Sequence, residues 1–287
     1  MSELLITGAN GFLGRSLSEK FQALGHRVHC VGHEFGDIAD EQTWDKMPQC
    51  EILIHLAGST FVPLSWKRPA EFLQTNVVGV QRAINWCIKN KSKMIFPSTY
   101  IYGQAKISRV SETTKPRPEN PYTFSKQLAE QCCRFASKYK GLDVTVLRLF
   151  NIYGKGQSEP FLIPHIVNQL DKNEIKVNDL VPRRDFLHID DAVQAFVHGI
   201  GKINGYEVFN IGSGESWSVK QLIEIVQDCA GTKIPVVSGN VVRSNEILDV
   251  VADNSKAKDL LGWAPRKSLI IGIQELVDEF YNGKNSK

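Results

Sequence analysis

Three side chains in the middle of the chain have the chemistry for proton transfer: Ser98, Tyr122 and Lys126. Tyr122 and Lys126 are four residues apart, so on a helix both project to one face. A phenol is a poor base, with a pKa of ~10. A lysine ammonium ~6 Å away, at an effective dielectric of ~20, stabilises the phenolate by roughly 3 kcal/mol. That corresponds to about two pKa units and moves the phenol towards the range that general acid–base chemistry needs. Ser98 closes an apolar run, and its hydroxyl would bond the same reacting oxygen, with Thr99 as the fallback. A tyrosine and a lysine at this spacing also occur as an ordinary exposed pair. A second constellation near the N-terminus gives the trio its weight.

That constellation begins with the apolar run Leu4-Leu5-Ile6-Thr7 and continues into Gly8-Ala9-Asn10-Gly11-Phe12-Leu13-Gly14. Phe12, Leu13, Leu17, Phe21 and Leu24 then recur at helical spacing. Strand, glycine turn and helix in this order suit a dinucleotide pyrophosphate. The glycines allow a tight turn and close backbone approach, and the helix N-terminus offers N–H groups to the anion. A glycine triplet alone is weak, but here strand and helix flank it. An oxidised nicotinamide held there would lower the Tyr122 pKa further.

The elements that must position these groups alternate along the chain. Strands are expected at Val28–Val31, Glu51–Leu56, Lys93–Phe96, Asp143–Leu149, Phe186–Ile189 and Val208–Ile211. Helices are expected at Pro69–Lys89, with Phe72, Val77, Val80, Ile84 and Ile88 as one stripe, and at Tyr122–Tyr139, closed by Gly141. Asp190 would cap a helix ending near Gly199, and Ser218 one over Val219–Cys229; Phe161–Leu170, Ser255–Leu261 and Ile270–Tyr281 also read as helical. Residues 104–121 read as a polar loop over a cleft. The alternation predicts an α/β fold of Rossmann type, a doubly wound parallel sheet with a smaller C-terminal substrate-binding lobe. Residues 1–155 form the expected dinucleotide-binding part, with 186–213 returning to it; 156–185 and 214–287 form the lobe, which would close over the cofactor.

Composition excludes several classes. Net charge is +3 from 34 basic and 31 acidic residues, which gives no case for nucleic acid or a membrane surface. No apolar run approaches the ~18–20 residues of a spanning helix. Residues 1–10 read as a core strand with Glu3 near its start, not as a signal peptide. The six cysteines form no C-x-x-C and scatter through predicted elements, as in reduced cytoplasmic proteins. His29 and His33 straddle a strand end, so their spacing does not make a metal pair, and no metal is expected.

Further motifs run the length of the chain. They are Thr7-Gly8-Ala9-Asn10-Gly11-Phe12-Leu13-Gly14, Asp37-Ile38, Leu56-Ala57-Gly58, Asn76-Val77-Val78-Gly79 and Asn120-Pro121-Tyr122-Thr123-Phe124-Ser125-Lys126. Towards the C-terminus come Arg148-Leu149-Phe150-Asn151-Ile152-Tyr153-Gly154, Arg184-Asp185-Phe186-Leu187-His188-Ile189-Asp190-Asp191, Asn210-Ile211-Gly212-Ser213-Gly214 and Leu261-Gly262-Trp263. Together they resemble the extended short-chain dehydrogenase/reductases, in the nucleotide-sugar epimerase/dehydratase family. The resemblance implies cofactor contacts from Gly8, Asn10, Gly11, Phe12, Leu13, Gly14, Arg15, His33, Asp37, Ile38, Leu56, Ala57, Gly58, Asn76, Tyr122 and Lys126. It implies a nucleoside diphosphate sugar facing Ser98, Thr99, Tyr100, Asn151, Gln157, Arg184 and Arg243, where arginine forks suit a diphosphate. Asp190 and Asp191 read as helix-capping residues, not catalytic ones.

The chain departs from the family pattern in ways that narrow the reaction. Pro97 stands where many members have a small hydroxyl residue. The dehydratases carry an Asp-Glu pair directly after the catalytic hydroxyl, and here those places hold Thr99 and Tyr100. The short step from Val31 to Asp37 resembles the dTDP-4-dehydrorhamnose reductases more than the longer UDP-galactose 4-epimerases. The reading is NAD(P)-dependent reduction of a nucleoside diphosphate 4-keto-6-deoxy-hexose at C4. Reversible 4-epimerisation is the runner-up, and a non-catalytic dinucleotide sensor is the alternative of another class. Gly32 stands where an NAD-selective chain usually has an acid, and Arg15 and His33 flank it, so NADPH is slightly favoured over NADH; Glu34 opposes this if it turns inward. The resemblance also implies a homodimer through helices 69–89 and 122–139, whose extra apolar residues are Trp86, Cys87, Phe135 and Ala136.

Overall fold

Leu4, Leu5 and Ile6 are fully buried, so their strand is covered on both faces, as in a parallel sheet. A computed structural model describes residues 1–104, 109–240 and 247–285. Its main sheet holds β1 (Glu3–Thr7), β2 (Arg27–Val31), β3 (Ile52–His55), β4 (Lys93–Thr99), β5 (Val144–Leu149) and β6 (Tyr206–Ile211). The six strands are parallel, in the order β6-β5-β4-β3-β1-β2. The order reverses at β1. In open α/β sheets ligands bind outside the strand carboxyl ends at such a point, and the glycine turn lies there.

Alternate strand residues serve opposite faces. Leu4, Ile6 and Ile95 join Leu17 and Phe21 of α1 (Phe12–Ala23) and Phe196 of α4 (Ile189–Ile200). Leu5, Leu53 and Phe96 join Ile84 of α2 (Gly79–Asn90) and Ala129 and Cys133 of α3 (Pro121–Lys140). A third cluster lies outside the sheet, around Leu222 of α5 (Val219–Ala230) and Ile273 of α6 (Leu269–Asn285). Asn120 caps α3 through a reciprocal pair with Thr123, and Gly141, at φ +69°, ends it. Ser218 caps α5 with Gln221.

Several elements differ from the sequence reading. The helix expected over 69–89 is interrupted by a π turn at Gln74–Val78, which turns Asn76 inward. Its supposed spare face is core: Trp86 and Cys87 are buried, as is Ala136 on α3, whereas Phe135 is 61% exposed. The cap of α4 is His188, whose ring accepts from the Asp190 amide, so Asp190 sits inside the first turn. Asp191 is buried and accepts from the Arg266 and Lys267 amides. The expected loop of 104–121 contains Arg109–Val110, paired with Val251–Ala252. A strand that short has no period to read. Asp185, fully buried, accepts from the Ser213 and Gly214 amides, the Ser213 hydroxyl and the Ala252 amide. It clasps three separate stretches of chain. Among the described residues no helix is long and apolar enough to cross a membrane.

Candidate active site

Tyr122 lies in the first turn of α3, at the carboxyl end of β4. The Thr99 side chain lies near its hydroxyl. Ser98, expected there, is buried with an unpartnered Oγ. Its Oγ and the Thr99 hydroxyl are the two hydroxyls at the strand end. The strand runs two residues beyond Pro97, and neighbouring strand residues face opposite ways, so Ser98 and Thr99 do not share an outlook.

The electrostatics also differ from the Tyr–Lys argument. Burial pushes the Tyr122 phenol up to about 12; Thr99 works against this and Tyr100 adds to it. Lys126 does not supply the stabilisation expected from spacing alone. Its ammonium sits 4.2 Å from the centre of the Phe96 ring, and burial pushes it down to about 8, with Glu130 one turn on pulling the other way. Desolvation therefore outweighs attraction at both groups. Glu130 is itself held by Arg148, Nη2 to Oε2 at 2.6 Å and Nε to Oε1 at 3.0 Å, both side chains buried. Arg148 donates as well to the Tyr102 hydroxyl at 2.9 Å.

The glycine turn is shaped by contact with the loop after β3. Gly8 has φ +70°, and a Cβ there would lie 2.7 Å from the Ala57 amide nitrogen. A Cβ on Gly14 would lie 2.3 Å from the Gly8 carbonyl oxygen, so α1 packs directly on the turn. Gly11 begins α1 with no side chain capping it, which leaves the N-terminal donors of the helix for an anion. Thr7 bonds His55 at 2.8 Å and accepts from Ala57 at 3.3 Å. Burial, then Lys126, pushes His55 down to about 3, so it is neutral.

Asn76 was expected at the cofactor, but its amide is committed to protein. It accepts from the Ser59 amide at 2.8 Å and donates to the Ser59 carbonyl and the Ser125 hydroxyl, each at 2.9 Å. It thereby ties the loop beyond Gly58 to the helix that carries Tyr122. Ser59 and Ser125 are the positioning residues the sequence reading missed, although Ser125 stood inside a quoted motif. Asp37 accepts from the Ala39 amide at 2.9 Å, and the Ile38 carbonyl accepts from Trp44 at 2.7 Å. Phe12, Leu13 and Arg15 lie in the first turn of α1, and Leu56 leads into the Ala57 contact. His33 opens a short helical turn, His33–Phe35, after β2.

On the other side of Tyr122, the Tyr100 hydroxyl donates to Asn151 Oδ1 at 3.1 Å, and Tyr100 stacks on Phe150. Asn151 donates to the Asp185 carbonyl at 2.9 Å. Thr99, Tyr100, Tyr122 and Asn151 thus form one group. Gln157 donates to the Ile152 carbonyl at 2.8 Å, and Arg184 donates to the carbonyls of Arg183 and Ile247. Arg243 lies outside the described residues.

The family model described as "NAD dependent epimerase/dehydratase family" matches residues 4–212. The chain belongs to that family. The glycine turn, the uncapped α1 and the Tyr122 group all fall inside the matched stretch. This member of the epimerase/dehydratase family is 28% identical to GDP-6-deoxy-D-mannose reductase of Pseudomonas aeruginosa over 295 residues, covering 96% of each chain. Its structure resembles that of UDP-glucose 4-epimerase from Thermotoga maritima with UDP-glucose, at TM-score 0.91 and 28% identity over 99% of each chain. It also resembles RMD from Pseudomonas aeruginosa complexed with NADPH, at TM-score 0.90 and 26% identity, covering 99% of this chain and all of that one (100%).

Proposed function

We propose that the protein is an NAD(P)-dependent oxidoreductase that reduces a nucleoside diphosphate 4-keto-6-deoxy-hexose at C4. The observation that carries this reading is the placement of Tyr122 and Lys126 one turn apart at the start of α3, with the unpartnered Ser98 Oγ at the end of β4. A protonated phenol is the form a reduction needs. The nicotinamide, when bound, supplies the hydride. Tyr122 gives its proton to the C4 oxygen, so carbonyl, hydride and proton make the alcohol. The buried, unpartnered Ser98 Oγ is assigned to the same oxygen, with Thr99 as the fallback. Lys126 holds the nicotinamide ribose, and Tyr100 and Asn151 face the sugar. Gln157, Arg184 and Arg243 are assigned to the diphosphate side. Residues 1–155 and 186–213 serve the cofactor, and 156–185 and 214–287 the sugar nucleotide.

Likeness to a UDP-glucose 4-epimerase over nearly the whole chain keeps reversible 4-epimerisation as the second reading. The test is to offer GDP- and dTDP-linked 4-keto-6-deoxy-hexoses with NADH and NADPH, and separately UDP-glucose. Oxidation of the reduced cofactor by a keto sugar supports the proposal. Interconversion of UDP-glucose and its C4 epimer without net cofactor use moves the assignment to epimerase. Dehydration of a 4-hydroxy nucleotide hexose overturns both. No consumption with any keto sugar leaves a sensor.

The same reading makes it a cytoplasmic enzyme of polysaccharide biosynthesis, in keeping with six free cysteines. It also carries a homodimer through helices 69–89 and 122–139. With Trp86, Cys87 and Ala136 in the core, the face that would pair is Phe135 with Tyr139, two exposed rings 4.7 Å apart. Sedimentation at micromolar concentration is expected to give twice the chain mass, and a monomer would count against the assembly.

A further inference from the structure

Gly32 directly follows β2, at the place where dinucleotide-binding chains that select NAD commonly carry an acid for the ribose 2′-hydroxyl. Its backbone does not call for glycine. At φ −114° and ψ −164° it is extended, open to any residue. The space beside it is taken by the ends of two flexible side chains. A Cβ on Gly32 would lie 2.2 Å from Asn10 Nδ2 and 2.4 Å from Glu34 Oε2. Glu34 has folded back over the strand end, because the turn His33–Phe35 reverses the chain, with the Phe35 amide bonded to the Gly32 carbonyl at 3.3 Å. Its Oε1 accepts from the Gly32 amide at 3.0 Å and its Oε2 from Asn10 Nδ2 at 3.2 Å. Asn10 sits inside the glycine turn, between Gly8 and Gly11.

A carboxylate therefore fills the position an acid at residue 32 would fill, delivered from two residues later. We propose that Glu34 is the ribose-selecting residue of this chain and that it makes the protein prefer NAD(H) to NADP(H). This rests on the dinucleotide reading and reverses only the order of preference drawn from the sequence. A carboxylate has about four acceptor sites. Two are used here, so a 2′-hydroxyl still finds an acceptor. A 2′-phosphate brings roughly −1.5 to −2 charge against the same carboxylate. Arg15 and His33, the nearby cations in sequence, are the groups that would oppose this, and neither appears among the hydrogen-bonded partners of the Glu34 carboxylate.

The experiment is a binding titration of the purified full chain with NADH and NADPH, followed by nicotinamide fluorescence, with no sugar present. NADH is expected to bind at least about tenfold tighter, roughly 1.4 kcal/mol. Glu34→Gln, which keeps size and removes charge, should bring the two within about threefold, or under 1 kcal/mol, chiefly by tightening NADPH. Equal or tighter NADPH binding to the native chain overturns the assignment, as does an unchanged ratio in Glu34→Gln. Binding of neither cofactor overturns the dinucleotide reading beneath it. A chain that binds NADH selectively yet reduces no keto sugar refutes the proposed reaction and leaves Glu34 standing.

Discussion

Replacing Tyr122 by phenylalanine is expected to lower turnover by ~10²–10⁴-fold, the usual contribution of a positioned acid or base, and to leave cofactor binding in place. Only the hydroxyl goes. The ring keeps its edge contact with Phe72, 6.4 Å between centres, and α3 keeps its Asn120 cap. What is removed is the proton donor at the end of β4, near Thr99. Steady-state reduction of a keto sugar, alongside a NADH titration, reads both halves of the expectation. Near-native turnover in Tyr122→Phe would end the scheme.

Replacing Lys126 by methionine is expected to do two opposite things. Turnover and cofactor binding fall, because Lys126 is assigned to the nicotinamide ribose. Stability rises. Burial holds the folded-state pKa at about 8, below the ordinary 10.5, so the ammonium costs roughly 3 kcal/mol of folding free energy at neutral pH. The sign follows from which state binds the proton more tightly. Below about pH 8 both states are charged and the full cost is present. Between about 8 and 10.5 the folded chain has already lost the proton, so the cost shrinks, and above that range it is gone. Methionine should therefore raise the melting temperature most below pH 8, with the gain fading towards pH 10.5. The substitution strands no charge, because Glu130 remains paired with Arg148 at 2.6 Å. A loss of stability at pH 7, or a gain that ignores pH, would show that the ammonium is not desolvated.

The glycine turn and the Tyr122–Lys126 spacing were legible because they are local. Each needs only a strand end or one turn of helix to become geometry. The faces taken by Ser98 and Thr99 were not, because Pro97 suggests that the strand stops at Phe96 whereas it continues to Thr99, and one residue decides the face. The inward turn of Asn76 was not legible, because a π turn leaves no mark on a 3.6-residue period. The surroundings of Lys126 were not legible, because spacing says how near it is to the phenol, not that its ammonium rests on the Phe96 ring. Glu34 was visible, but whether it points inward depends on a three-residue turn. In each case what the sequence hid was the direction of a side chain, set by a local detail of the element that carries it.

The four donors that meet at Asp185 come from residues on both sides of α5: Ser213 and Gly214 before it, Ala252 after it. A scission anywhere between 214 and 252 would leave one fragment with a buried carboxylate short of a donor, and the other with an amide that has lost its acceptor. The chain around Asp185, around Ser213 and Gly214, and around Ala252 is therefore expected to fold as one unit.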